Sequence, residues 1–322
     1  MYTTQIIAAL ICAFVLSAVF TWIEIPVLKK KQMGQNIREE GPQSHKSKAG
    51  TPSMGGIALI GGACVSAAAV SLAAGVFDIR LAVMIIVTVA FGLVGFIDDF
   101  RKVIKKQNEG LTAREKMAFQ LVISAAVAVY AYFRNEAMVY IPFADTYADF
   151  GILYIPFIMF AVVAMTNAVN LTDGLDGLAA GCTALSSLFL ALLAGMFTYG
   201  NVACFAAAIS GGCLGFLVFN RNPAKVFMGD TGSLALGGAL VIAAVSMRME
   251  LFLLIAGLTY VIEALSVIIQ VVSFQTTGKR VFRMSPIHHH FELGGMNEKR
   301  VVIMFWGFTA VCCMLGLLIL GF

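Results

Sequence analysis

Five aspartates lie where an otherwise oily chain turns polar: Asp98 and Asp99 in GFIDDFRK, Asp173 and Asp176 in NLTDGLDGLA, and Asp230 in VFMGDTGS. Each alone has an ordinary reading, because a carboxylate at a membrane edge can be solvated or can cap the next helix, as Asp173 or Asp230 would. Together they argue for chemistry, since three separate segments supply Asp on a face otherwise dominated by Lys and Arg. Adjacent aspartates on a helix point about 100° apart, so Asp98 and Asp99 are expected to do different jobs. Lys102 follows them at i+4 and i+3 and shares their face if the helix continues; there it neutralises the pair or binds phosphate as a point charge. Clustered hard oxygen ligands without cysteine suit Mg²⁺, which takes one or two carboxylates and completes its octahedron with water and phosphate oxygens.

His288, His289 and His290 in SPIHHHFE invite a zinc reading, but consecutive histidines do not easily converge on one tetrahedral ion and no fourth ligand of matching spacing is nearby. Imidazoles contacting phosphate are the better reading, with a solvated tract as the alternative. Glu263 falls inside an apolar run, where an ionisable group is either functional or a hydrogen-bonded helix contact. Neither GxxxxGK[ST] nor GxGxxG occurs, so a nucleotide must be held by other means than these phosphate cradles. Phe227 could stack on a base, or be an interfacial anchor, while Asn170 and Asn220 could hydrogen-bond.

The elements that must position these residues are membrane helices. The chain of 322 residues is 60% hydrophobic and 12% charged, against about 25% charged in ordinary soluble chains. A bilayer span needs roughly 20 apolar residues. Runs of about that length predict ten spans, near 4–27, 54–76, 81–99, 116–134, 152–171, 178–198, 202–220, 234–249, 251–273 and 300–322. If the spans alternate, 19 of the 22 basic residues, Arg38, Lys46 and Lys106 among them, share one side, leaving only Arg80, Arg134 and Arg248 opposite. The positive-inside rule makes the loaded side cytoplasmic and puts both termini outside. The first run has no basic flank before it and KKK after it, so a cleaved leader is not expected. The net charge of +4 is accounted for by this asymmetry, and no nucleic-acid partner is expected.

The seven cysteines lie inside apolar runs without CxxC spacing and read as small core residues. Residues 135–151 read as a small hairpin, and Gly211 with Gly215 as a small-xxx-small helix contact. With no linker or soluble appendage in view, the expectation is an all-α polytopic protein with one integral domain over residues 1–322.

The ordered motifs KAGTPSMGG, GFIDDFRK, NAVNLTDGLDGLA, FNRNPAKVFMGDTGSLALGG, EALSVIIQV and SPIHHHFE resemble the phospho-N-acetylmuramoyl-pentapeptide transferase family, within the polyprenyl-phosphate N-acetylhexosamine-1-phosphate transferase superfamily. The resemblance implies Mg²⁺-dependent transfer of phospho-MurNAc-pentapeptide from its UDP carrier (UDP-MurNAc-pentapeptide) to undecaprenyl phosphate in the bacterial plasma membrane, with release of UMP. It implies an essential acidic cluster of Asp98, Asp99 and Asp230, with Asp230 as the Mg²⁺ ligand. Lys102, Lys116, Asn167, Asn170, Asp173 and His288 to His290 would contact phosphate and sugar, and Lys48, Asp176, Asn220 and Phe227 would form a uridine pocket. A homodimer and a lipid groove beside a bent ninth helix are implied as well. Within the superfamily the competing reading is a UDP-N-acetylglucosamine-type transferase, against which the SPIHHHFE loop argues. From another class, a secondary transporter would account for ten spans and Glu263, but transporters bind near the midplane between repeats, and here the acidic residues crowd one edge.

Overall fold

The computed structural model describes residues 2–31, 48, 50–105, 110–135 and 137–320; Arg38, Lys46 and Lys106 lie outside the described residues. The helices are α1 (Thr3–Lys30), α2 (Gly56–Ala73), α3 (Ile79–Lys105), α4 (Ala113–Asn135), α5 (Tyr154–Thr172), α6 (Leu178–Met196), α7 (Gly200–Asn220), α8 (Gly229–Ser246), α9 (Glu250–Ala256), α10 (Leu258–Thr277), α11 (Ile287–Leu293) and α12 (Glu298–Ile319). Among the described residues nine helices are long and apolar enough to cross a membrane, and the shorter apolar α8 corresponds to the eighth expected run, 234–249. The protein is an all-α polytopic membrane protein.

The expected span 251–273 is divided. Gly257 donates its N–H to Leu253 O at 2.7 Å, closing α9, and its carbonyl accepts from Tyr260 N at 2.9 Å and Val261 N at 3.1 Å, opening α10. The backbone groups at the break are therefore satisfied inside the protein, as a bend within an apolar layer requires. Two other bounds shift with consequences for the site. Helix α3 runs six residues past the expected end at 99, which keeps Lys102 on the helix that carries Asp98 and Asp99, and α8 starts at Gly229, which puts Asp230 in its first turn.

Helices α7 and α8 form the centre. Helix α8 packs on α3 and α5, and α7 on α1, α2 and α6. Both are rich in Gly, Ala and Ser and are buried around nearly their whole circumference. Where hydrocarbon lipid removes the water-driven term, close backbone approach supplies the attraction. Gly211 and Gly215 show it directly, because a Cβ on either would collide with the Leu10 or Phe14 carbonyl of α1.

The expected hairpin is present as antiparallel β1 (Met138–Ile141) and β2 (Thr146–Asp149), with Met138 opposite Asp149 and Ile141 opposite Thr146. Tyr140 N donates to Arg248 O at 2.9 Å, just past the C-terminal end of α8, so the hairpin and Asp230 lie at opposite ends of that helix. The cysteines are free, and all except the exposed Cys12 are buried.

Candidate active site

Asp98 and Asp99 diverge as their spacing on α3 requires. Asp98 Oδ1 accepts from Leu111 N at 2.7 Å. Its Oδ2 lies 2.6 Å from Lys102 Nζ, an ion pair one helical turn apart. Asp99 turns to the start of α8: Oδ1 accepts from Asp230 N at 3.2 Å, and Oδ2 accepts from Thr231 N at 2.9 Å and Thr231 Oγ1 at 2.7 Å. It thus caps another helix, whose own flanking residue Met228 provides no side-chain cap. Gly229 permits the approach, since its φ of +73° is left-handed and a Cβ there would meet Asp99 Oδ2.

Asp230 gathers the cations. Its Oδ2 accepts from Lys116 Nζ at 2.9 Å and Lys102 Nζ at 3.3 Å, and its Oδ1 from Asn170 Nδ2 at 2.9 Å. Lys116 is set by a capping box at the start of α4: Thr112 Oγ1 accepts from Glu115 N at 3.2 Å, and Glu115 Oε2 accepts from Thr112 N at 2.8 Å. Asn170 Oδ1 accepts from Lys116 Nζ at 3.2 Å, and its amide also donates to Ser233 Oγ at 2.8 Å. Asn167, one turn earlier on α5, is occupied elsewhere. Its Nδ2 donates to Gln120 Oε1 at 2.7 Å and its Oδ1 accepts from Gln120 Nε2 at 3.3 Å, so it ties α5 to α4 instead of reaching the aspartates.

Asp173 follows α5 and is half-buried, with no side-chain hydrogen bond among the described residues. Desolvation, then the carboxylates of Asp230, Asp99 and Asp176, push its pKa up to about 8. Beside it, Gly174 lies so close to His288 that a Cβ would collide with Nε2 of the ring.

The histidines do not converge. On the short α11, His288 is fully buried and shares a 3.1 Å hydrogen bond between Nδ1 and Glu263 Oε2. His289 Nδ1 lies 2.8 Å from Glu292 Oε2, and His290 Nδ1 accepts from Arg283 N at 3.2 Å. His288 is buried behind the Asp173–Gly174 segment, whereas His289 and His290 are half-buried.

The residues expected around uridine form a second cluster. Lys48 Nζ donates to Asp176 Oδ1 at 2.7 Å. Asn220 Oδ1 accepts from Gly177 N at 3.0 Å while its Nδ2 donates to Val226 O at 2.9 Å. Half-buried Phe227 is held by its backbone, N donating to Pro52 O at 2.8 Å and O accepting from Gly55 N at 2.9 Å. Glu298 and Asn222, which sequence reasoning passed over, complete this cluster. Glu298 Oε1 accepts from Lys48 Nζ at 2.6 Å, and Asn222 Nδ2 donates to Asp176 Oδ2 at 3.1 Å. In sequence Glu298 reads only as an acid opening a helix.

One oxygen each from Asp98, Asp99 and Asp230 can be chosen so that all lie within 4.8 Å of one another. This all-oxygen donor set fits Mg²⁺. With Lys102 and Lys116 alongside, the cluster can hold an ion and anionic oxygens together, which is what phosphoryl transfer requires.

A family model described as Glycosyl transferase family 4 matches residues 81–248, and one described as Phospho-N-acetylmuramoyl-pentapeptide-transferase signature 1 matches residues 48–60. The chain is 48% identical to the phospho-N-acetylmuramoyl-pentapeptide-transferase of Halalkalibacterium halodurans, over 97% of this chain and 96% of that protein. The corresponding protein of Anoxybacillus flavithermus is 50% identical over 95% of each, and that of Bacillus subtilis 45% identical over 98% of this chain and 97% of its own length. The matched spans hold every aspartate of the cluster, and with identity of this order running through nearly the whole of each protein, the chain belongs to the phospho-N-acetylmuramoyl-pentapeptide-transferase family.

Proposed function

We propose that this protein transfers phospho-MurNAc-pentapeptide from its UDP carrier to undecaprenyl phosphate, forming the first lipid-linked peptidoglycan precursor. The observation that carries this reading is the meeting of Asp98, Asp99 and Asp230 with Lys102 and Lys116 where helices α3, α4 and α8 begin or end. An acceptor phosphate anchored by its lipid and a water-soluble anionic donor can both reach such an edge. The basic residues crowd the same side of the chain, so the site faces the cytoplasm of a bacterial plasma membrane.

An oxygen of undecaprenyl phosphate attacks the sugar-bearing phosphorus of the donor; the new pyrophosphate bond forms as the old one breaks, and UMP leaves. Asp230 would hold Mg²⁺, which when bound neutralises charge on the reacting phosphates. Lys102 and Lys116 supply fixed positive charge beside them, and Asn170 holds Asp230 in place. Asp98 orients the acceptor phosphate or takes its proton in a direct attack. Asp99 acts through α8, and Asp173 lines the approach from the sugar side. The family resemblance further supports a homodimer and a lipid groove beside the bend at Gly257.

Purified protein supplied with UDP-MurNAc-pentapeptide, undecaprenyl phosphate and Mg²⁺ should release UMP, and omission of either substrate should abolish release. Turnover of UDP-N-acetylglucosamine in place of the muramoyl donor would instead establish the sister activity.

A further inference from the structure

An acid in the first turn of a helix is ordinarily explained by the helix dipole and by capping. Glu298 opens α12, but capping there is done by Asn297, whose Oδ1 accepts from Lys299 N at 2.9 Å. The Glu298 carboxylate instead reaches three other segments. Oε1 accepts from Lys48 Nζ at 2.6 Å and from the backbone N–H of Asp176 at 2.9 Å, while Oε2 accepts from Asn222 Nδ2 at 2.8 Å. Lys48 also donates to Asp176 Oδ1 at 2.7 Å, and Asn222 to Asp176 Oδ2 at 3.1 Å. Lys48, Asp176, Asn222 and Glu298 therefore close a ring drawn from four parts of the chain. The Asp176 and Glu298 side chains are only 2% and 12% exposed, so the ring is shielded from water, where charge-assisted hydrogen bonds hold geometry firmly.

We propose that Glu298, bridged by Asn222, is a positioning residue for the nucleotide end of the donor: it sets Lys48 and Asp176 for a uridine phosphate without touching that ligand. The proposal rests on the nucleotide-sugar reading above and adds residues to it. An ammonium has three N–H donors, and with two directed at the carboxylates one is left for an incoming acceptor. Without the Glu298 carboxylate, Lys48 is held by Asp176 alone and the Asp176 N–H loses an anionic acceptor, so the pocket loosens although its ligand-facing groups remain.

The test uses the full chain in detergent with UMP as the probe, followed by steady-state kinetics. Glu298→Gln should weaken UMP binding about tenfold, the order expected when a charge-assisted hydrogen bond is lost, and raise KM for the nucleotide donor to match. KM for undecaprenyl phosphate should stay at the wild-type value. Asn222→Ala should act in the same direction and decides the matter if Glu298→Gln does not fold. Wild-type protein that fails to bind UMP would overturn the nucleotide reading and this proposal with it. Wild-type protein that binds UMP while the folded variants bind it equally well would overturn the positioning role alone. That role fails as well if KM rises equally for both substrates or if only kcat falls.

Discussion

Glu263 Oε2 lies 3.1 Å from His288 Nδ1, with both side chains fully buried where α11 meets α10. Of the two readings open for Glu263, this geometry favours the hydrogen-bonded contact. The carboxyl group orients the imidazole, and the far ring nitrogen, Nε2, presses on Gly174 beside Asp173. Glu263→Ala should strand a buried ring nitrogen, costing about 1–3 kcal/mol of stability, and Glu263→Gln should cost less because an amide can still bond. Thermal unfolding in detergent reads both; an Ala variant as stable as the parent would mean the pair contributes nothing.

Asp98, Asp99 and Asp230 should separate when each is changed to Asn. Asp98→Asn and Asp230→Asn should keep the fold and lose turnover by about a hundredfold or more, as when a charge-stabilising group is removed from a reacting centre. Asp99→Asn should also lose about 1–2 kcal/mol of stability, because an amide cannot accept at both positions from the donors that Asp99 receives at the start of α8. UMP release and melting temperature measured on the same preparations distinguish the two behaviours. Near-normal turnover in all three would end the catalytic reading.

Magnesium should expose a further difference. Asp230→Asn is expected to raise the Mg²⁺ concentration for half-maximal UMP release more than either neighbour, since the loss of a direct anionic ligand exceeds the loss of an outer partner. A larger shift in Asp99→Asn would transfer the ligand role to Asp99.

What could be read in the sequence is local. Hydropathy runs give the spans, and i+3 and i+4 spacing puts Lys102 beside Asp98 and Asp99, as its 2.6 Å and 3.8 Å contacts confirm. What could not be read depends on distant partners. Glu298 meets Asp176 across 122 positions and Lys48 across 250, and nothing near it in sequence marks the encounter. Asn167 and Asn170 share a helix face, yet Gln120 from α4 claims the first and leaves the second to Asp230. Gly257 breaks a span that is apolar on both sides, so hydropathy passes through it unchanged. Three successive histidines look alike until the docking of α11 buries His288 and gives the others local partners.

Asp173 should make stability depend on pH in metal-free protein. Its pKa is raised to about 8 by desolvation and by Asp230, Asp99 and Asp176, above the ordinary 3.8. A group whose folded-state pKa is raised contributes stability at low pH that is lost as pH climbs from about 4 through about 8. Asp173→Asn removes that titration, so in EDTA its melting temperature should gain on the wild type by a few degrees over this window and level off above it. A constant difference across the window would show that Asp173 titrates normally.

The membrane orientation can be tested at two exposed positions on opposite faces. Asp145 lies in the hairpin beyond the C-terminal end of α8, and Lys279 follows the end of α10 nearer the aspartate cluster. The excess of Lys and Arg assigns the second face to the cytoplasm. In a cysteine-free background, a cysteine at 145 should react with an impermeant maleimide in intact cells, whereas one at 279 should react only after the membrane is permeabilised. The reverse pattern would put the acidic cluster outside the cell, away from any cytoplasmic nucleotide donor, and the proposed function would fail with the topology.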